Sequence, residues 1–332
     1  MEHILDCTMR DGGYVNNWNF PKEQAQKCYE AALESGISYC EVGFRRKSDG
    51  GSFGSWYYTP ESLLNDTFTV NPKCKIAVMA QMGTFTIDDF VPKKDSLVTM
   101  VRVLIPYHCK NKDDAVLDTD IIRDTVIMCK SLHELGYETS INIGRIDKLS
   151  ENQLHEMCSL IRGAPIKYLY IADTYGNLGI YKMRKILATL KQYYTGEIGF
   201  HAHDNLQNAS IKSIDALYNG ASIVDVTFGG YGRGSGNAKA ELVIAHMIMS
   251  GSEDYNLLPA LIYADTYVQK YTQSGVAYLL TGMASMHVNY AIEVIEKWSH
   301  LSIEKVYYTF QKIVSSGKHN FYFPDVFTHA LF

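Results

Sequence analysis

Apolar and polar positions along the chain alternate between two periods. Short β-rich runs occur at Ile4–Thr8, Tyr39–Phe44, Lys75–Gln81, Leu97–Ile105, Glu138–Ile143, Lys167–Asp173, Ile198–His203 and Ser222–Phe228. Between most of them the spacing shifts to that of amphipathic helices, at Pro21–Ser35, Asp118–Leu135, Ser150–Ile161, Leu178–Tyr193 and Asn208–Tyr218. Pro21 suits a first helical turn, and Gly36, Gly136 and Gly220 stand where a left-handed cap residue ends a helix. The Lys75–Ile105 stretch leaves only Thr84–Phe90 for a helix between its two strands. Eight β/α units in roughly 250 residues favour α/β architecture of one kind, a closed (β/α)8 TIM barrel. A doubly wound sheet would want a Gly-rich phosphate turn after the first strand. Here the chain reads Arg10-Asp11-Gly12-Gly13, expected to be an acidic turn that repels a pyrophosphate.

From Asn237 onward the pattern is helical, through Ala238–Met249, Asn256–Ser274, Met286–Trp298 and Ile303–Val314. The expected division is a barrel over 1–254 and an all-helical C-terminal region over 255–332. No Gly/Ser linker precedes that region, so it should pack on the barrel.

Composition narrows the function classes. Of 332 residues, 46% are apolar and 20% charged, enough core and too little charge for a disordered chain. A net charge of −5, with Arg45-Arg46-Lys47 as the one basic cluster, argues against nucleic acid as a partner. The seven cysteines are scattered with no C-x-x-C pair, which argues against a zinc ribbon or disulfide framework and suits a reducing compartment. No apolar run approaches the length of a membrane span and no basic-then-apolar leader opens the chain, so a cytoplasmic protein without a membrane partner is expected.

Four elements carry candidate chemistry, all at the C-terminal ends of strands. His201 and His203 alternate on one strand, so both imidazoles can face the barrel mouth and converge on an ion. Asp11, after the first strand, can approach the same ion, leaving coordination positions open for a chelating substrate. Read alone, Arg10 and Asp11 are better taken as a surface cation and a turn carboxylate before two glycines. The loop Gly229–Ala238 contains Gly232, Gly234 and Gly236, which let backbone approach a ligand closely; Asn237 either adds an amide oxygen to the metal or caps the following helix. Glu41, a carboxylate inside an apolar strand, needs a partner, and Arg10 on the adjacent strand is the obvious one. Arg45 and Arg46 either bind a substrate carboxylate or phosphate or are solvated loop charges.

Arg10-Asp11-Gly12, Glu41, His201-x-His203 and Gly232-x-Gly234-x-Gly236-Asn237 together resemble the DRE-TIM metallolyases, the superfamily related to 3-hydroxy-3-methylglutaryl-CoA lyase, over residues 3–250. Asp173-Thr174-x-Gly176 is similar to that family's Asp-Ser/Thr-x-Gly turn. Within the superfamily the chain looks most like the 4-hydroxy-2-oxovalerate aldolases. The resemblance implies Asp11, His201 and His203 as ligands of a divalent ion, usually Mn2+ or Mg2+, with Co2+ or Zn2+ as substitutes. It implies Arg10 as the group that stabilises an enolate oxygen, Glu41 as its orienting partner, and Thr174 as a contact to a 2-oxo acid. One position departs: where these aldolases carry a His three residues after the metal Asp, this chain has Tyr14, a weaker base at neutral pH.

The expected function is a metal-dependent aldolase acting on a pyruvate-like 2-oxo acid and an aldehyde, with Tyr14 or a water it holds moving the proton on the 4-hydroxyl. Loops carrying Arg45, Ser52–Tyr58 and Gln81 would set the aldehyde half. Competing readings are an acyl-CoA-dependent Claisen-type synthase, and a barrel subunit acting through a partner dehydrogenase docked on the C-terminal region. The Met- and Tyr-rich stretch Gly275–Lys297 reads first as core and next as a homodimer contact.

Overall fold

The computed structural model describes residues 3–47, 51–105, 117–268, 276–301 and 303–332. Eight parallel strands close on themselves in chain order: β1 (His3–Asp6), β2 (Tyr39–Phe44), β3 (Lys75–Gln81), β4 (Val98–Ile105), β5 (Glu138–Ile143), β6 (Tyr168–Asp173), β7 (Glu197–Ala202) and β8 (Ile223–Val226). β8 pairs back onto β1 through His3–Ile223 to Asp6–Val226. Strands enclosed on both faces must be apolar nearly throughout, and all six residues of β2 are buried. At the N-terminal end the barrel is filled by Leu5, Tyr39, Ala77, Met100, Tyr168 and Ile223. Two residues further along, the same inward face carries Glu41, Arg102, Tyr170 and Asp225, all buried. The interior therefore changes from apolar to charged along its axis, toward the end where the strands finish.

The expected turn at Arg10–Gly13 is instead helix: α1 spans Thr8–Asn16 and starts directly off β1. Asp6 Oδ1 accepts the Thr8 amide and hydroxyl and so satisfies the first turn, while the Cys28 and Cys40 thiols donate to its Oδ2. Burial pushes the Asp6 carboxyl up to about 7 despite those donors. Two glycines inside a helix are costly, and close packing explains them: a Cβ on Gly12 would lie 2.3 Å from the Tyr231 ring, and one on Gly13 would lie 2.1 Å from Trp18 Nε1. That indole donates to the Arg10 carbonyl at 3.0 Å. Helix α1 is thus held by tertiary contacts that local propensity does not reveal.

α2 (Lys22–Glu34), α4 (Thr119–Glu134), α5 (Glu151–Ile161), α6 (Ile180–Tyr193) and α7 (Ala209–Tyr218) fall where the periodicity places them. An additional short helix, α3 (Glu61–Thr67), precedes β3, and the expected Thr84–Phe90 helix is reduced to a single 3-10 turn at Ile87–Asp89, with a second turn beyond it at Lys93–Asp95. After β8 come α8 (Ala240–Met249) and α9 (Leu257–Tyr263), the latter continuing as a wide turn to Val268; residues 269–274 of the expected Asn256–Ser274 helix lie outside the described residues. Ala260, Tyr263 and Val268 belong to the barrel's own core.

A second core is built by α10 (Val276–Met283), α11 (Asn289–Lys297), α12 (Ile303–Ser315) and α13 (Val326–Leu331) around Tyr278, Met286, Val288, Tyr290, Phe310 and Phe327. The packing thus changes between Val268 and Ala277, later than the 254/255 boundary. Within Gly275–Lys297, Gly275 is outside the described residues and Tyr278, Met286, Val288 and Tyr290 point into this core. Its contacts run to the barrel's loops: Tyr175 Oη donates to the Asn320 carbonyl at 2.8 Å, and Asn205 Nδ2 to Thr281 Oγ1 at 3.3 Å. Among the described residues no helix is long and apolar enough to cross a membrane.

Gly13→Ala should cost about 1–3 kcal/mol, because the added methyl must displace the Trp18 indole. Chemical denaturation followed by tryptophan fluorescence checks this; an unchanged midpoint and spectrum would contradict the packing described.

Candidate active site

At the C-terminal end of the barrel, potential ligand atoms of Asp11, His201 and His203 lie within 4.8 Å of one another. β7 delivers His201 inward, and His203 follows two residues later; their rings stand edge to face with centroids 5.0 Å apart. Each ring is tied down through Nδ1. His201 Nδ1 is 2.9 Å from Asp225 Oδ2, and His203 Nδ1 is 3.2 Å from the Gly236 carbonyl. Donation to those acceptors leaves Nε2 with its lone pair on both rings. Burial is the main reason His203 is pushed down to about 3, and it is neutral, as a ligand must be. Burial by itself would raise the Asp11 carboxyl, but Arg10, the two imidazoles and the Asn237 amide together outweigh it and hold the group well below the usual carboxylate range.

Asn237 does not cap α8, whose first helical residue follows Lys239. Its amide nitrogen donates to Asp11 Oδ2, and its buried Oδ1 has no partner. Two imidazole nitrogens, an ionised carboxylate and an unpaired amide oxygen form a mixed N/O donor set suited to a divalent cation, so these residues fit one. Gly232 is explained by the same crowding: a Cβ there would lie 2.0 Å from Asn237 Nδ2 and 2.5 Å from Asp11 Oδ2. Gly234, at φ +66°, abuts Val288 of the C-terminal region instead.

Behind these groups runs a continuous chain of buried charge. Arg10 Nε donates to Glu41 Oε2 at 2.7 Å and Arg10 Nη1 to Asp11 Oδ1 at 2.7 Å. Arg102 from β4 donates to the same Glu41 oxygen at 2.9 Å and to Asp225 Oδ2 at 2.6 Å, with its guanidinium 4.1 Å over the Tyr170 ring. Asp225 in turn holds His201. Neither Arg102 nor Asp225 was singled out from sequence, although each is a charge inside an apolar strand, the same signal that exposed Glu41.

A cavity of about 230 Å³ opens on this arrangement, lined by Arg10, Asp11, Tyr14, Gln81, Thr174, His201, His203 and Asp225 among others. Asn142, Arg145, Tyr175, Arg233 and His287 also line it and were not anticipated; His287 comes from the C-terminal region. Thr174 Oγ1 accepts the Arg145 amide at 2.8 Å, and Gln81 Oε1 accepts from Arg46 at 3.1 Å. Four expected contacts are absent from this lining: Gly232 and Gly234, which lie against Asn237 and Val288, and Arg45 and Asp173. Arg45 is turned away, pairing with Glu61 of the unforeseen α3 at 2.8 Å and stacking over Phe90. Asp173 is fully buried below the rim, paired with Lys212 and accepting the Asn177 and Leu178 amides. Trp56 and Tyr57 pack rather than face the cavity: the Trp56 indole donates to the Phe20 carbonyl, and Tyr57 joins Trp18, Phe44 and Phe53 in an aromatic cluster. Tyr14 is 40% exposed, with its ring edge on Trp18 and the Arg233 guanidinium 5.3 Å above it.

Fold and donor set together define a TIM barrel with a carboxylate and two imidazoles at its catalytic end. The HMGL-like family profile matches residues 2–269, and the chain belongs to that family. It is 28% identical over 300 residues to 4-hydroxy-2-oxovalerate aldolase 2 of Salinispora arenicola, covering 88% of this chain and 82% of that protein. Over 252 residues it is 28% identical to the 4-hydroxy-2-oxovalerate aldolase of Geobacillus genomosp. 3, covering 75% and 71%. Among solved structures, the N-terminal domain of a candidate aldolase from Bacteroides vulgatus superposes with a TM-score of 0.76 at 25% identity, covering 91% of this chain and 98% of that one. These relatives place the chain among carbon–carbon lyases.

Replacing Arg102 with Met should leave Glu41 and Asp225 as buried carboxylates short of a partner and cost about 3–5 kcal/mol of stability. Urea denaturation measures this, with Arg102→Lys expected to recover part of the loss. A neutral result would mean the charge chain does not support the barrel.

Proposed function

We propose that this protein is a divalent-metal-dependent aldolase that makes or breaks a carbon–carbon bond through the enolate of a pyruvate-like 2-oxo acid. The observation that carries the proposal is the joint placement of Asp11, His201, His203 and the doubly anchored Arg10 on one cavity. Asp11, His201 and His203, with Asn237 Oδ1 beside them, would hold the cation, which supplies Lewis acidity toward a keto oxygen and carboxylate when bound. Mn2+ or Mg2+ suits the mixed N/O set.

Arg10 is the group prepared for the developing negative charge. Glu41 and Asp11 each take one of its N–H groups, which fixes the guanidinium plane before substrate arrives and leaves further N–H groups at the cavity wall. Positive charge already oriented beside a forming enolate lowers the barrier without reorganisation at the moment of reaction. Thr174 and Gln81, both lining the cavity, would contact the 2-oxo acid or the electrophile. Tyr14, or a water on it, would move the proton on the 4-hydroxyl.

Pyruvate in D2O, followed by loss of its methyl proton signal, tests the enolisation half without an aldehyde. Exchange should require added Mn2+ after EDTA treatment and fall by about 10²–10³-fold in Arg10→Ala. Tyr14→Phe should slow carbon–carbon cleavage more than it slows exchange, since the phenol acts on the hydroxyl rather than the methyl. No exchange by the metal-loaded protein, or full exchange in Arg10→Ala, would overturn the proposal.

A further inference from the structure

Of the three guanidinium groups that line the cavity, those of Arg10, Arg145 and Arg233, one has no carboxylate partner among the described residues. Arg10 pairs with Glu41 and Asp11, Arg102 with Glu41 and Asp225, and Arg145 with Asp147 at 2.9 Å. Among the described residues the Arg233 guanidinium has no carboxylate partner, although its backbone amide donates to Asp11 Oδ2 at 3.4 Å; its Nη2 donates to Asn289 Oδ1 at 3.0 Å and its guanidinium lies over Tyr14. Arg46 likewise has no carboxylate partner among the described residues, its Nη2 donating to Gln81 Oε1 at 3.1 Å, but it does not line the cavity. Arg233 therefore brings an unpaired positive charge to the cavity wall, where an anion would meet it.

The location of that charge is also fixed. His287 accepts the Asn289 amide on Nδ1 at 3.2 Å, so its proton sits on Nε2 and the neutral ring is a hydrogen-bond donor. Through Asn289 it is tied to Arg233, and through Tyr175 to Arg145: the His287 and Tyr175 rings are 5.7 Å apart, and the Arg145 guanidinium is 3.9 Å over Tyr175. Burial first, then Arg233 and Arg145, push His287 down to about 3, so the ring is neutral. All three residues line the cavity already described, on the side built by the loops after β5 and β8 and by the C-terminal helices.

We propose that Arg233, Arg145 and His287 form an anion subsite for the electrophile, so that the aldehyde this enzyme joins to or releases from the 2-oxo acid carries a carboxylate or phosphate. The subsite rests on the aldolase reading and adds the substrate class to it. A planar fork of N–H groups on Arg233 suits either anion, and the small cavity favours a short carbon chain between aldehyde and charge. Arg145 is partly neutralised by Asp147 and serves mainly to shape the subsite, whereas Arg233 supplies the uncompensated charge.

The experiment compares condensation of pyruvate with propanal, succinic semialdehyde and glyceraldehyde 3-phosphate on the Mn2+-loaded protein. One or both anionic aldehydes should exceed propanal in kcat/KM by roughly 30-fold or more, and Arg233→Gln should remove most of that ratio. Which of the two is preferred distinguishes a carboxylate subsite from a phosphate one. In parallel, succinate and inorganic phosphate are titrated calorimetrically into the metal-free protein, where binding should weaken at least about tenfold in Arg233→Gln. Equal use of propanal, or an Arg233→Gln effect that is the same for all three aldehydes, would overturn the subsite while leaving the aldolase reading standing. Absence of metal-dependent pyruvate exchange in the unaltered protein would overturn the aldolase reading itself, and the anion titration would then decide the subsite separately.

Discussion

The structure depends on one buried sequence of charges, Asp11–Arg10–Glu41–Arg102–Asp225–His201, threaded through the upper half of the barrel. Charges taken out of water are expensive, and a buried pair rarely outperforms apolar packing. Its presence at the core of this barrel is therefore better understood as positioning than as stabilisation. Groups facing the cavity are oriented by buried partners: Glu41 holds Arg10 and Asp225 holds His201, while Arg102 bridges those two carboxylates. Asp225 shows the balance directly, since burial would raise it and Arg102 with His201 hold it below the usual range. The opposite end of the barrel, with Leu5, Ala77 and Met100, carries the apolar burial that offsets this cost.

The C-terminal helices are part of the same arrangement. Their core is separate, but His287 and Asn289 reach the barrel mouth, and Val288 packs where a side chain on Gly234 would stand. A barrel without them would keep the Asp11–His201–His203 cluster and lose one wall of the cavity. Chemistry at the strand ends and selection at the rim thus come from different parts of the chain, the usual division for this architecture, in which loops vary over a constant barrel.

Much of this was legible in the amino-acid pattern because it rests on local spacing. β2, β3 and β5 match their apolar runs residue for residue, and His201 and His203 share a face by strand period alone. What escaped depends on register around the closed barrel. Arg102 and Asp225 are more than a hundred residues apart, and only strand order makes them neighbours across the interior. Arg10–Gly13 reads as a turn because two glycines and an aspartate favour one, and the contacts that make it helical come from Trp18 and Tyr231. Arg45 was drawn to the wrong place for a similar reason: its partner, Glu61, sits on a helix too short to announce itself by periodicity. His287 has no motif around it, and only the packing of the second core brings it to the mouth.

The central claim is that Asp11, His201 and His203 hold one divalent cation in contact with the substrate cavity. Titration of the metal-free protein with Mn2+, followed by electron paramagnetic resonance, tests it most directly. The account predicts one tightly bound ion per chain whose signal changes on adding pyruvate, and which is lost in the His201→Ala, His203→Ala double variant. An ion retained by that variant, or a bound ion indifferent to pyruvate, would contradict it.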